Sequence, residues 1–121
     1  MNYYPGIETP GQILETIKQI SIALQKGNDN LKTLAIEKEK TLREYKVEKA
    51  KKICELRENK IPVSLVSDLA NGDELVSELK MKQGIAESNY FIALEAMQNL
   101  RLELESLRSN LTWQRVELNN Q

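Results

Sequence analysis

Apolar side chains in the last third of the chain recur at alternating steps of four and three. Ala86, Tyr90, Ala93, Met97, Leu100, Leu104, Leu107 and Leu111 follow one another without a break, for more than three heptads. The same register reaches back through Gln83 to Leu79 and Val76 and forward through Gln114 to Leu118. Steps of this kind put one stripe on one face of a helix and form the seam of a coiled coil. The spacing predicts a helix over about 73–119, started by Asp73 as cap with Glu74 in the first turn, where a carboxylate suits the helix dipole. Tyr90, Ala93, Met97, Leu100, Leu104, Leu107 and Leu111 are the predicted oligomer seam. Arg101, Arg108 and Arg115 flank it on one side and Glu103 and Glu117 on the other, where charges set partner and orientation.

Two shorter helices are predicted upstream. Thr9 before Pro10 is a good helix start, because threonine caps free amides and proline is tolerated at the first helical position. Ile13, Ile17, Ile20 and Leu24 then mark one apolar face. Lys26 and Gly27 read as the end of this helix, at about 10–26. Asn28, Asp29 and Asn30 offer caps for a second helix over about 30–60, which Pro62 discourages from continuing. In it Leu31/Leu34, Leu42/Tyr45 and Ile53/Leu56 repeat at eleven-residue intervals, a period that keeps a stripe straight on the helix. Lys38 and Lys49 fall on the same face, with stems long enough to cover apolar surface. Residues 61–72 read as a connector with one helical turn around Leu65–Leu69, and residues 1–9, with Tyr3, Tyr4, Pro5 and Gly6, as an irregular arm. The expectation is one all-α domain over 10–121, a long antiparallel helical hairpin or three-helix bundle with coiled-coil character.

Composition narrows the chemistry. The chain has 121 residues, 40% of them hydrophobic and 29% charged, and its net charge of -1 gives no global pull toward nucleic acid or anionic lipid. No apolar run is long enough to span a bilayer and no signal sequence opens the chain, so a cytoplasmic location is expected. Histidine is absent. That removes the commonest general base and the commonest zinc ligand, and no glycine-rich phosphate loop or nucleophile elbow is present. The expectation is a protein that is not an enzyme, with no catalytic residues, no cofactor and no metal. The one cysteine, Cys54, has no intrachain partner for a disulfide and reads as a small packing residue.

Three features remain as candidate sites. Lys40, Arg43, Lys46, Lys49, Lys51, Lys52, Arg57 and Lys60 stand against Glu44, Glu48, Glu55 and Glu58, eight cations to four anions, so the second helix carries a local excess of positive charge. Lys46, Lys49, Lys52 and Arg57 form its possible nucleic-acid face, although mixed lysine and glutamate is more often a solvated surface with ion pairs one turn apart. Trp113 lies off the seam and, with Arg101, Arg108 and Arg115, makes a possible partner surface, since tryptophan and arginine are frequent interface anchors; the equal alternative is that Trp113 covers the end of the bundle or packs against the N-terminal arm. Gly84, inside the third helix, points to a close helix approach or a kink.

The stretch IPVSLVSDLANGDELVSELKMKQGIAESNYFIALEAMQNLRLELESLRSNLTW resembles small uncharacterised helical proteins of phages and prophages of low-GC Gram-positive bacteria. The elements that carry the likeness are the connector ending in NGDE, the segment Tyr90 to Ala93, and the LRSNLTW tail. The resemblance implies a phage protein in bacterial cytoplasm, either an accessory of DNA replication or recombination or an inhibitor of a host defence enzyme. The residues and the resemblance together point to a non-enzymatic helical protein–protein interaction module. It is expected to form a homo-oligomer and to bind a protein partner, with no membrane. The alternative is a nucleic-acid-binding accessory using the basic face of the second helix.

Overall fold

The computed structural model describes residues 9–120. Its elements are all helical: α1 spans Pro10–Glu58, α2 Val63–Gly72 and α3 Glu74–Asn119. The all-α class predicted from periodicity is what the chain adopts. Residues 1–8, which include Tyr3 and Tyr4 of the expected arm, lie outside the described range.

Two of the three predicted helix starts are built as expected. Thr9 accepts the Gln12 N–H at its hydroxyl (3.3 Å) and donates its own N–H to Gln12 Oε1 (2.9 Å), a reciprocal capping box ahead of Pro10. Asp73 accepts the Val76 N–H at Oδ2 (3.1 Å) and so caps α3. Its other oxygen lies 3.4 Å from Lys52 Nζ on α1. The Val76 amide and the Lys52 ammonium together hold the Asp73 carboxyl below its ordinary value, against a smaller opposing effect of burial.

The end of α1 is a Schellman motif. Lys60 donates its N–H to the Arg57 carbonyl (3.0 Å) and Ile61 to the Leu56 carbonyl (3.1 Å), which closes the last turn. This places Lys60 at φ 58°, a left-handed position where glycine is the usual residue. Pro62 follows, and the chain re-enters helix at once. The stretch predicted as a connector is therefore mostly α2, which buries Val66 and Ala70 on one face.

The break predicted at residues 27–29 does not form, and the helices expected over 10–26 and 30–60 are one helix of 49 residues. Asn28, Asp29 and Asn30 are exposed, where each costs roughly 0.5 kcal/mol of helix propensity, too little to outweigh packing on either side. Gly27 is a socket instead of a terminator: a Cβ placed there would collide with Met97 Sδ of α3. Gly84 reverses in the opposite sense. The sequence points there to a close approach or a kink, yet a Cβ at Gly84 would meet nothing within 4 Å, and α3 continues through it.

The chain divides into two compact units. In the unit formed by residues 9–30 and 93–120, Ile13, Ile20, Met97 and Leu104 are buried, and Ile17, Leu24, Leu100, Leu107 and Leu111 half-buried. The other unit, Leu31–Ile92, pairs α1 and α3 antiparallel: Lys52 meets Asp73, Tyr45 meets Lys80, and Lys38 meets Tyr90. Its sheltered positions on α1 include Leu31, Leu34, Lys38, Thr41, Leu42, Tyr45, Glu48, Lys52, Ile53 and Leu56, and on α3 Val76, Leu79, Gln83, Ala86 and Tyr90. The steps of three and four on α3 are those read from the sequence. On α1 all six residues of the predicted eleven-residue repeat are sheltered, and the polar Lys38, Thr41, Glu48 and Lys52 share the face with them.

Candidate interaction surfaces

The residues predicted as an oligomer seam are the sheltered residues of α3. Met97 is 3% exposed and Leu104 9%, while Tyr90, Ala93, Leu100, Leu107 and Leu111 are half-buried. Met97 and Leu104 are thus covered within the single chain, Met97 against Gly27 of α1, while the other five keep part of their surface open. Among the described residues sixteen large hydrophobic side chains are exposed and eight apolar residues are buried, so each unit leaves apolar surface to solvent.

In the first unit Trp113 is 63% exposed. It lines a shallow depression on α3 with Arg108, Ser109, Thr112 and Val116. Trp113 and Arg108, five residues apart on α3, therefore bring an aromatic ring and a cation to the same depression. Arg101 and Arg115 are exposed but do not line this depression.

In the second unit a groove runs along one side of the α1·α3 pair. Lys40, Arg43, Glu44, Val47 and Glu48 form one wall and Leu75 and Leu79 the other. Val47 is 42% and Leu75 51% exposed, so the floor is apolar and open. Val47 also lines a second depression on the outer face of α1 with Ala50, Lys51, Cys54, Glu55 and Glu58. Cys54 is exposed, not packed as predicted, because this face of α1 is turned away from α3.

No family model, curated protein or solved structure matches the chain. The reading of these surfaces therefore rests on their geometry and charge.

The four residues of the predicted nucleic-acid face do not come together as one surface. Lys52 is turned to Asp73 and Glu55, and Lys49 lies over the Tyr45 ring at 5.7 Å, whereas Lys46 and Arg57 are exposed. What the sequence concealed is a set of lysine–ring contacts in the second unit. Lys80 lies 5.0 Å from the Tyr45 centroid, and Lys38 lies 5.5 Å from Tyr90 and 5.9 Å from Phe91, whose rings meet edge to face. Such contacts contribute on the order of 0.5–1 kcal/mol each at partly exposed sites. They explain how Lys38 occupies a seam position. Nothing in the linear pattern pairs residues 38 and 90.

Among the described residues no helix is long and apolar enough to cross a membrane, and no group of three or more Cys, Asp or Glu side chains is placed to hold a metal ion.

Proposed function

We propose that the protein is a non-enzymatic, phage-encoded interaction module of the bacterial cytoplasm, with coiled-coil packing between α1 and α3, acting on a protein partner as an accessory or an inhibitor. The observation that carries this reading is Trp113. This tryptophan is 63% exposed and lines a depression on α3 together with Arg108, outside the buried stripe of that helix. Tryptophan and arginine in a shallow depression are the residues that most often dominate protein–protein binding. Retention of proteins from a nuclease-treated lysate of a low-GC Gram-positive host tests it, comparing tagged wild-type protein with Trp113→Ala. A partner held by the wild type and lost with Trp113→Ala, at unchanged helicity, is the expected result. Equal retention by both, or loss of all retention on nuclease treatment, would refute it.

The second reading, a nucleic-acid-binding accessory, has one observation in its favour. Tyr45, Tyr90 and Phe91 lie beside Lys38, Lys49 and Lys80, which supplies the combination of rings and cations that single-stranded nucleic acid uses. Those ring faces are occupied by the chain's own lysines, so this reading ranks second. Salt-sensitive retention of nucleic acid, weakened by Lys49→Glu, is its signature.

A further inference from the structure

The depression beside Trp113 lies in a stretch of α3 that carries one sign of charge. From Ser106 to Val116 the chain reads SLRSNLTWQRV, with two cations, Arg108 and Arg115, and no anion. Arg101 precedes Arg108 by the same seven residues, so the three arginines of α3 follow nearly one line along the helix at intervals of about 10 Å. All three are exposed, and none makes an ion pair among the described residues. Glu103 and Glu105 stand between the first two arginines, which leaves the uncompensated charge at Arg108 and Arg115, on either side of Trp113 in the chain. Val116 is 45% exposed and adds apolar surface to the indole.

We infer, resting on the reading of Trp113 as a partner surface, that the partner segment seated there is an acidic amphipathic helix. It lies along α3 with carboxylates seven residues apart that meet Arg108 and Arg115, and an apolar side chain between them covers Trp113 and Val116. A guanidinium presents a planar fork of donors that fits a carboxylate two bonds at a time. The helix face offers a partner side chains only, because the backbone groups inside α3 are bonded within the helix, so an extended segment cannot add to it as to a sheet edge. The Thr112 hydroxyl is likewise committed, donating to the Arg108 carbonyl at 3.0 Å. A phosphate chain laid along α3 would pass the two arginines and then meet Glu103 and Glu105 at one end and Glu117 at the other. A peptide can place its carboxylates only where the arginines stand, so the charge pattern favours protein over nucleic acid.

Photo-crosslinking in a nuclease-treated host lysate tests this, with benzoylphenylalanine in place of Ser106, which is exposed and does not line the depression. The cross-linked segment, mapped by mass spectrometry, should belong to another protein and carry Asp or Glu at a seven-residue interval with an apolar residue between. Capture of that protein should fall at least about tenfold when Arg108→Glu and Arg115→Glu are combined, at unchanged helicity. Trp113 is the one tryptophan of the chain, so its emission should move to shorter wavelength when a synthetic peptide of that segment is added to the unsubstituted protein. The same peptide with its carboxylates changed to amides should bind at least about tenfold more weakly. A segment without the pair of acids, a cross-link only to the chain itself or to a second copy, no cross-linked protein at all, or capture indifferent to the arginine reversal would overturn the inference. Capture lost with Trp113→Ala but kept by the arginine reversal would remove the acidic helix and leave the partner surface, whereas capture indifferent to both would remove both.

Discussion

Gly27→Ala is the most informative single perturbation of the fold, because two effects of known size oppose each other there. In an exposed helix interior this change stabilises by about 1 kcal/mol, since alanine loses less backbone freedom on folding. At Gly27 the new methyl would occupy space taken by Met97 Sδ, with the Met97 methyl at 3.2 Å and Cγ at 3.7 Å. Over-packing of this kind costs typically about 1–3 kcal/mol, and the flexible end of a methionine puts the expected value in the lower half of that range. The net effect should be a loss of about 0–1 kcal/mol. Removing the obstruction reverses the sign. In a Met97→Ala background, itself destabilised by about 2–5 kcal/mol, Gly27→Ala should stabilise by about 1 kcal/mol. The four proteins form a cycle whose coupling energy, about 1–2 kcal/mol, isolates the contact. Urea unfolding followed by circular dichroism at 222 nm measures all four, at one protein concentration so that association does not enter the comparison. Stabilisation by Gly27→Ala in both backgrounds would refute the socket and leave the glycine as a plain weak point in a long helix.

Two further perturbations test the ends of the helices. Lys60→Gly should raise stability by about 0.5–1 kcal/mol, because Lys60 holds φ 58° at the Schellman turn; an unchanged urea midpoint would count against that conformation. The Asp73 carboxyl titrates below its unfolded value, held there by the Val76 amide and by Lys52, so between the two values the unfolded chain binds the extra proton. Its contribution is complete above the unfolded value and fades as pH falls through the folded one, so Asp73→Asn, which keeps a capping oxygen, should flatten the fall in stability between neutral pH and pH 3. An identical pH profile for variant and wild type would remove the carboxylate from the account.

The legible parts of the fold were those where local chemistry and packing agree. Thr9 and Asp73 are good caps and do cap, and the α3 stripe is apolar at nearly every step, so spacing alone located it. Reading failed where a residue serves packing against its own propensity. Gly27 followed by Asn28, Asp29 and Asn30 has the composition of a helix break, but the glycine is needed small by Met97 and the three polar residues face solvent. Lys38 and Thr41 lie in the α1 stripe although both are polar: Lys38 is accommodated by two rings and Thr41 by its own helix. Their partners are distant in sequence, so no local pattern announces them. Of the candidate surfaces, Trp113 and Arg108 were visible as residue types. The groove beside Val47 was not, since it requires knowing that Leu75 lies across from it.

The two most deeply buried polar side chains of the second unit are both satisfied at home. Thr41, 7% exposed, donates its hydroxyl to the Glu37 and Lys38 carbonyls one turn back, and Gln83, 5% exposed, donates to Glu87 and accepts from Lys80 on α3. Neither relies on the facing helix for a hydrogen bond. The two sides of this seam are therefore free to diverge separately over evolutionary time: a change such as Thr41→Val strands no group on α3 and demands no answering substitution there. In a set of related sequences, covariation at this layer would run along each helix, between positions 83 and 87 for example, more than across from one helix to the other.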